Sequence, residues 1–242
     1  DKTLFKIGQP TFYGEDSCIK AMKYRGMTEE EGHAINSCMG MVVVGKEVAD
    51  MWGCCANMSL PLELALNHGK PLHGELPGSV KKYIDTVAIR EPDSMKHIME
   101  AYEDYLEALV SYIADQNLNK AAWIALNRPN PFLSMLTDDC IFWARDRAHS
   151  AVCTLGKNAE IHWNEKNYDF KEVLSGRGAV YHNVTVLAMG FAHAADALSA
   201  IETLVFQKRK YSVQNLLEAA RSNYTGNIQN EQIYAELMHC EK

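Results

Sequence analysis

The sequence predicts a helix-rich α/β fold, and three observations carry that reading. Apolar residues recur at helical spacing over long stretches, most clearly from about Ser94 to Asn117 and from Ala192 to Gln207. Short β-branched or apolar runs sit beside glycines, at Met41-Val42-Val43-Val44-Gly45 and within Gly178 to Leu187. The 242 residues are 47% hydrophobic and 23% charged, enough apolar surface to bury a core.

The elements follow in order. Glu15 to Arg25 reads as a short amphipathic helix ended by Gly26. Thr28-Glu29-Glu30-Glu31 is a capping box that opens a helix towards Ser37. The apolar run Cys38 to Gly45 is too short for an ordinary helix and reads as strand or loop. Asn57 to Asn67 is helical, and Gly69 suits a left-handed cap. His73 to Pro92 is Gly- and Pro-punctuated connection. Asp93 caps the long helix, which puts Ile98, Tyr102, Tyr105, Leu106, Leu109 and Ile113 on one face. Pro129 and Pro131 break the chain before a helical stretch from Phe132. Gly156 to Arg177 is polar and irregular, and Gly178 to Leu187 is a strand. Ala194, Leu198, Ile201 and Val205 stripe the helix from Ala192 to Gln207. Ser212 caps a last helix through Asn223.

Charge and composition exclude several classes. The net charge of −7, with no long basic run, argues against nucleic acid or an anionic membrane surface as partner. No apolar run is long enough to span a bilayer. The seven cysteines are irregularly spaced with no Cys-x-x-Cys, so neither zinc nor a disulfide framework is indicated, and a cytoplasmic location follows as the expectation. Three Asn-x-Ser/Thr triplets are read as chance in the absence of a secretory signal. Both ends read as interior to a longer chain.

Few side chains stand out for chemistry. Cys38 lies after a helix, at the head of a glycine-bounded apolar run. By composition alone it is a small buried hydrophobe. No Lys or Arg adjoins it, so a thiolate nucleophile is disfavoured, whereas radical chemistry needs only an S–H kept from water. Cys54-Cys55 reads as a redox pair or as two small residues entering a helix. The histidines lack metal-ligand spacing. Asp138, Asp139 and Asp146 read as solvated or capping acids. Gly176-Arg177-Gly178 is a partial phosphate-loop pattern without the strand and helix such a loop needs.

Four blocks, in order and spacing, resemble glycyl radical enzymes. Gly8-Gln9-Pro10-Thr11-Phe12-Tyr13 with Arg25-Gly26 resembles the segment ahead of that family's active-site loop. Cys38 falls where the family has its radical cysteine, followed by Gly45-Lys46-Glu47 and by Leu62-Glu63-Leu64-Ala65-Leu66-Asn67-His68-Gly69. Pro131-Phe132-Leu133-Ser134 with Asp138-Asp139-Cys140 makes a third block. Tyr181-His182-Asn183, the helix from Ala194 to Ile201 and Leu204-Val205-Phe206 make the fourth.

The resemblance implies a ten-stranded barrel surrounded by helices. Residues 1–242 would be an internal fragment from its C-terminal part, short of the C-terminal glycyl radical motif. It implies Cys38 as the catalytic thiyl residue. It also implies no cofactor on this chain, and a glycyl radical installed outside it by a separate S-adenosylmethionine/iron–sulfur activating enzyme. Small accessory subunits and a homo-oligomer of the full-length subunit are further expectations.

Many relatives carry Cys-x-Glu, the Glu serving as base; here the third position is Gly40, which moves no proton. Acyl-transferring relatives carry Cys-Cys, whereas Met39 follows Cys38 here. This leaves the benzylsuccinate and alkylsuccinate synthases, which add a toluene-like hydrocarbon or an alkane to fumarate. Met39, Met41, Trp52 and Trp163 are the expected substrate-binding residues, in an apolar neighbourhood that reads equally as core. Relatives that bind carboxylates carry an Arg near positions 53 to 55, where this chain has Gly53-Cys54-Cys55. Another glycyl radical lyase, a decarboxylase or a formate acyltransferase stays open as an alternative, as does a non-catalytic helical scaffold.

Overall fold

The computed structural model describes residues 15–24, 26–33, 35–36, 42–49, 55–149, 178–183 and 186–239. They fall into two compact units, one built from Asp1–Gly53 with Asn117–Thr185, the other from Cys54–Gln116 with Val186–Lys242.

In the first unit, helix α1 (Glu15–Tyr24) packs on α2 (Glu29–His33). The turn between them needs Gly26, whose φ is +87°. Its N–H donates to Lys23 O at 3.0 Å, and Met27 N–H donates to Met22 O at 3.1 Å. The capping box at Thr28 forms as expected: Thr28 N–H donates to Glu31 Oε2 at 2.9 Å, and Glu31 N–H to Thr28 Oγ1 at 3.2 Å. The helix it opens is shorter than expected. It stops at His33, and Ile35–Asn36 form strand β1 instead.

β1 pairs antiparallel with β2 (Val42–Val43), in register Ile35↔Val43 and Asn36↔Val42. A tight turn follows. Lys46 N–H donates to Val43 O at 3.2 Å, and Gly45 has φ +78°, the positive value that glycine supplies at the third position of a type II turn. β3 (Glu47–Ala49) then runs parallel to β5 (Tyr181–Asn183), with Glu47 opposite Tyr181. Met22, Met27 and Val43 form a small buried cluster, with Tyr181 packed against it.

The third resembling block is also a piece of scaffold. Asn130 caps the short helix α6 (Pro131–Met135) through Leu133 N–H. Asp146 gathers the segment: its Oδ2 accepts from Asn130 N–H at 2.8 Å and Ser134 Oγ–H at 3.0 Å, and its Oδ1 from Ala148 N–H at 2.9 Å. The reading of Asp146 as a capping acid therefore holds. Helix α7 (Cys140–Trp143) follows, and the segment exposes Phe132, Met135, Leu136, Ile141 and Phe142.

In the second unit, β4 (Cys55–Asn57) runs parallel to β6 (Leu187–Met189). Helix α3 (Ser59–Leu66) buries Leu62, Leu64, Ala65 and Leu66. Its end explains the rest of the Leu62–Gly69 block. Gly69, at φ +77°, donates its N–H to Leu64 O at 2.8 Å, the left-handed cap expected there. The Asn67 amide donates to Lys70 O at 2.8 Å and accepts from Arg221 Nη2 at 2.6 Å, while Glu63 accepts from Leu72 N–H.

The His73–Pro92 connection contains a helix, Gly78–Ile84, that the sequence reading did not include. The long helix runs Met95–Asn127, ten residues beyond the expected end at Asn117. Ser94, not Asp93, holds its first turn by accepting from His97 N–H, while Asp93 pairs with the His97 ring. On its expected face Ile98, Tyr102, Tyr105, Leu109 and Ile113 are buried and Leu106 is half-buried. The helix expected from Ala192 to Gln207 is α-helical over Phe191–Ile201 and π-helical over Glu202–Gln207. Ser212 caps Val213–Arg221 with a full capping box through Asn215, and a further helix, Ile228–Met238, follows it.

Candidate active site

The expected site residues Cys38, Met39, Met41, Trp52 and Trp163 all lie outside the described residues, as do Gly40, Gly53 and Cys54. What is described is the frame on which Cys38 is strung. Residues 37–41 join β1 to β2, so the cysteine belongs to the connection of a paired hairpin.

Three chain segments are tied together at the base of that hairpin. Glu31, on α2, is 9% exposed, and both of its carboxylate oxygens are used. Lys46 Nζ donates to Oε1 at 3.0 Å; Tyr181 Oη–H donates to Oε2 at 3.0 Å, where Thr28 N–H also lands. Tyr181 N–H donates to Lys46 O at 2.9 Å and closes the circuit. Next to it, Val43 N–H donates to Glu47 Oε2 at 2.9 Å, and Asp138 N–H donates to Gly45 O at 2.7 Å.

The electrostatics follow from these contacts. Hydrogen bonds from Thr28 N–H and then from Lys46, with a smaller one from Tyr181, hold the Glu31 carboxyl down to about 2 against the effect of burial. The Lys46 ammonium is pushed up, chiefly by its hydrogen bond to Glu31. The folded-state pKa of Glu31 thus lies below its ordinary 4.5, so its contribution to stability is complete above that value and is lost as pH falls towards about 2. A Glu31→Gln protein is expected to unfold at lower denaturant than wild type at neutral pH. That gap should close as the pH falls through this window, in paired denaturation curves.

Three cysteines lie among the described residues. Cys140 is buried in α7, where burial, then the charges of Asp146 and Asp139, push its thiol up to about 11. Cys18 is also buried, and Cys55 is exposed in β4. The expected entry of Cys54-Cys55 into a helix is not met at Cys55, which is in a strand. Among the described residues no cluster of His, Cys, Asp and Glu could hold a metal ion, and no helix is long and apolar enough to cross a membrane.

The sequence reading quoted Glu31, Lys46, Glu47 and Tyr181 as capping or motif residues without seeing that they meet. The capping box was visible because its partners are three positions apart. The Glu31–Lys46 and Glu31–Tyr181 contacts bridge 15 and 150 positions, and no local pattern signals them.

The chain is 26% identical over 233 residues to a (2S)-3-sulfopropanediol dehydratase of Klebsiella oxytoca, covering 94% of this chain and 24% of that protein. It is 26% identical to a trans-4-hydroxy-L-proline dehydratase of Clostridioides difficile, covering 90% of this chain and 24% of that one. The fold superposes on a glycyl radical enzyme from Archaeoglobus fulgidus with a TM-score of 0.69 at 19% identity, over 90% of this chain and 24% of that structure. The chain thus spans about a quarter of the length of its relatives. The model described as pyruvate formate lyase-like matches residues 2–242, and the chain belongs to that family, the pyruvate formate lyase-like glycyl radical enzymes.

Proposed function

We propose that this chain is the cysteine-bearing part of a longer glycyl radical enzyme, with Cys38 as its thiyl residue. The observation that supports it is the position of Cys38 in the β1–β2 connection, whose base is tied by Glu31, Lys46 and Tyr181. Cys38 would give its S–H hydrogen atom to a glycine radical elsewhere in the longer chain and become a thiyl radical. The thiyl then takes a hydrogen atom from a substrate C–H, and later returns one to the product radical. The protein's part is to hold these atoms in contact and exclude water. A separate S-adenosylmethionine/iron–sulfur enzyme would install the first radical. The exposed apolar side chains Phe132, Ile141 and Phe142 fit burial against further parts of such a barrel.

For the substrate, Gly40 favours a reaction with no base beside the cysteine: addition of a hydrocarbon radical to the double bond of fumarate, in a pocket that includes Met39, Met41, Trp52 and Trp163. A second reading, dehydration of a small polyol or hydroxy acid, has the support of the two dehydratase relatives and needs a base from elsewhere in the chain. An anaerobic assay of the activated full-length enzyme separates them. With fumarate and toluene or n-hexane, a substituted succinate is the expected product. Turnover of 3-sulfopropanediol or trans-4-hydroxy-L-proline, with no succinate adduct, would establish the second reading instead.

A further inference from the structure

We infer that Glu31, Lys46 and Tyr181 are positioning residues for hydrogen-atom transfer at Cys38: a closed brace that holds the hairpin carrying the cysteine. The inference rests on the reading of Cys38 given above. Among the described residues the hairpin's strands pair at Ile35↔Val43 and Asn36↔Val42. A two-stranded ribbon standing alone is marginal in water, so its position is fixed by what it is tied to.

The brace supplies that from two directions. Lys46 leaves the hairpin on the far side of the Gly45 turn, and its backbone is bonded to Val43 O at 3.2 Å. Its ammonium reaches back to Glu31 on α2, two residues before the helix gives way to the approach to β1. Both ends of the Cys38 segment are thereby tied to one carboxylate. Tyr181 locks the tie by contacting both partners, its hydroxyl on Glu31 and its N–H on Lys46 O. Three contacts among three residues make a closed figure, which resists shear in a way that a single ion pair does not. Charge-assisted hydrogen bonds are directional, and apolar packing of the same volume would hold position less specifically.

The charges around the brace are consistent. Asp138 adds its field to Lys46 from a third segment, while Glu29 on α2 is engaged by Lys23 at 3.1 Å. A brace of this kind suits the chemistry, because a hydrogen atom crosses only between atoms held in contact. Misplacement by about 1 Å costs on the order of 10²-fold in rate.

The test needs no knowledge of the substrate. The full-length enzyme is activated anaerobically and moved into D2O, and the glycyl radical is followed by electron paramagnetic resonance. Solvent exchange turns the Cys38 S–H into S–D. The glycine radical takes that deuterium atom, leaving a thiyl; the thiyl then takes back a hydrogen from the glycine α-carbon. Repetition replaces the α-hydrogen by deuterium and collapses the doublet to a singlet, at a rate per spin that reports transfer between the two residues.

Lys46→Met is expected to slow the collapse about 10- to 100-fold per spin, with Lys46→Arg restoring much of it. Tyr181→Phe, which deletes one oxygen, should slow it severalfold while keeping wild-type radical yield. It carries the test if Lys46→Met forms too little radical. A role in folding alone would lower the yield and the melting temperature but leave the rate per spin unchanged, and that result in both variants overturns the inference. Cys38→Ala separates the two claims. Collapse abolished there, together with wild-type rates in the brace variants, refutes the brace and spares Cys38. Collapse that persists there removes Cys38 from the path and the brace with it.

Discussion

Replacing Cys38 with alanine is expected to abolish turnover of the full-length enzyme while the glycyl radical signal still forms. The loss should be on the order of 10³-fold or more, the scale on which removing a group that bonds to the migrating atom is felt. Among the described cysteines, Cys140 is buried in α7, Cys18 is buried in α1 and Cys55 is exposed in β4. Cys38→Ser tests the same step with nearly the same volume, because a hydroxyl holds its hydrogen too firmly to be exchanged for it. Steady-state rates and spin counts on one preparation decide the matter. Full activity in Cys38→Ala would remove the assignment, and loss only on changing Cys54 or Cys55 would move it to that pair.

The second large effect belongs to Gly178. A Cβ built there would stand 2.1 Å from Asp146 O and 2.7 Å from Arg147 O, both of them backbone atoms that cannot swing away. The neighbouring Ala179 N–H donates to Arg147 O at 3.0 Å, so the two strands of chain are laced together at this point. Gly178→Ala must either break that lacing or displace residues 146 and 147, and with them the Asp146 carboxylate that organises Asn130 and Ser134. Destabilisation of about 3 kcal/mol is expected, the upper end of ordinary overpacking. A shift in denaturation midpoint at constant slope would measure it, and a midpoint within error of wild type would show that the backbone has room to move. The glycine of the partial phosphate-loop pattern is therefore accounted for by close packing.

What could be read in the sequence was mostly local. The capping box at Thr28, the helix cap at Ser212, the left-handed cap at Gly69 and the buried face from Ile98 to Ile113 each depend on residues a few positions apart, and each formed. Elements whose signal is long-range or weak were misread. Strands of two or three residues carry no alternation to detect: the single strand expected over Gly178–Leu187 is two, Tyr181–Asn183 and Leu187–Met189. The Asn117-Leu118-Asn119 triplet imitates a helix end, yet Asn117 is buried and the helix passes through it, with Ala122 and Ala125 buried beyond. Gly78 opens a helix directly behind Pro77, where punctuation had suggested only connection. At the site, Cys38 came from resemblance, whereas its brace depends on contacts that only the folded chain creates.

The parallel pairing of β3 with β5 also sets a schedule for the protein's birth. Glu47 meets Tyr181, a residue synthesised 134 positions later, and Cys55 meets Leu187 after a comparable delay. At the ribosome's usual ~5–20 residues per second, β3 waits roughly 7 to 27 seconds for its neighbour. During that interval the Glu31 carboxylate lacks its tyrosine, and the nascent hairpin has an open flank next to an apolar run. Until Tyr181 arrives, that flank is a template on which another strand could pair.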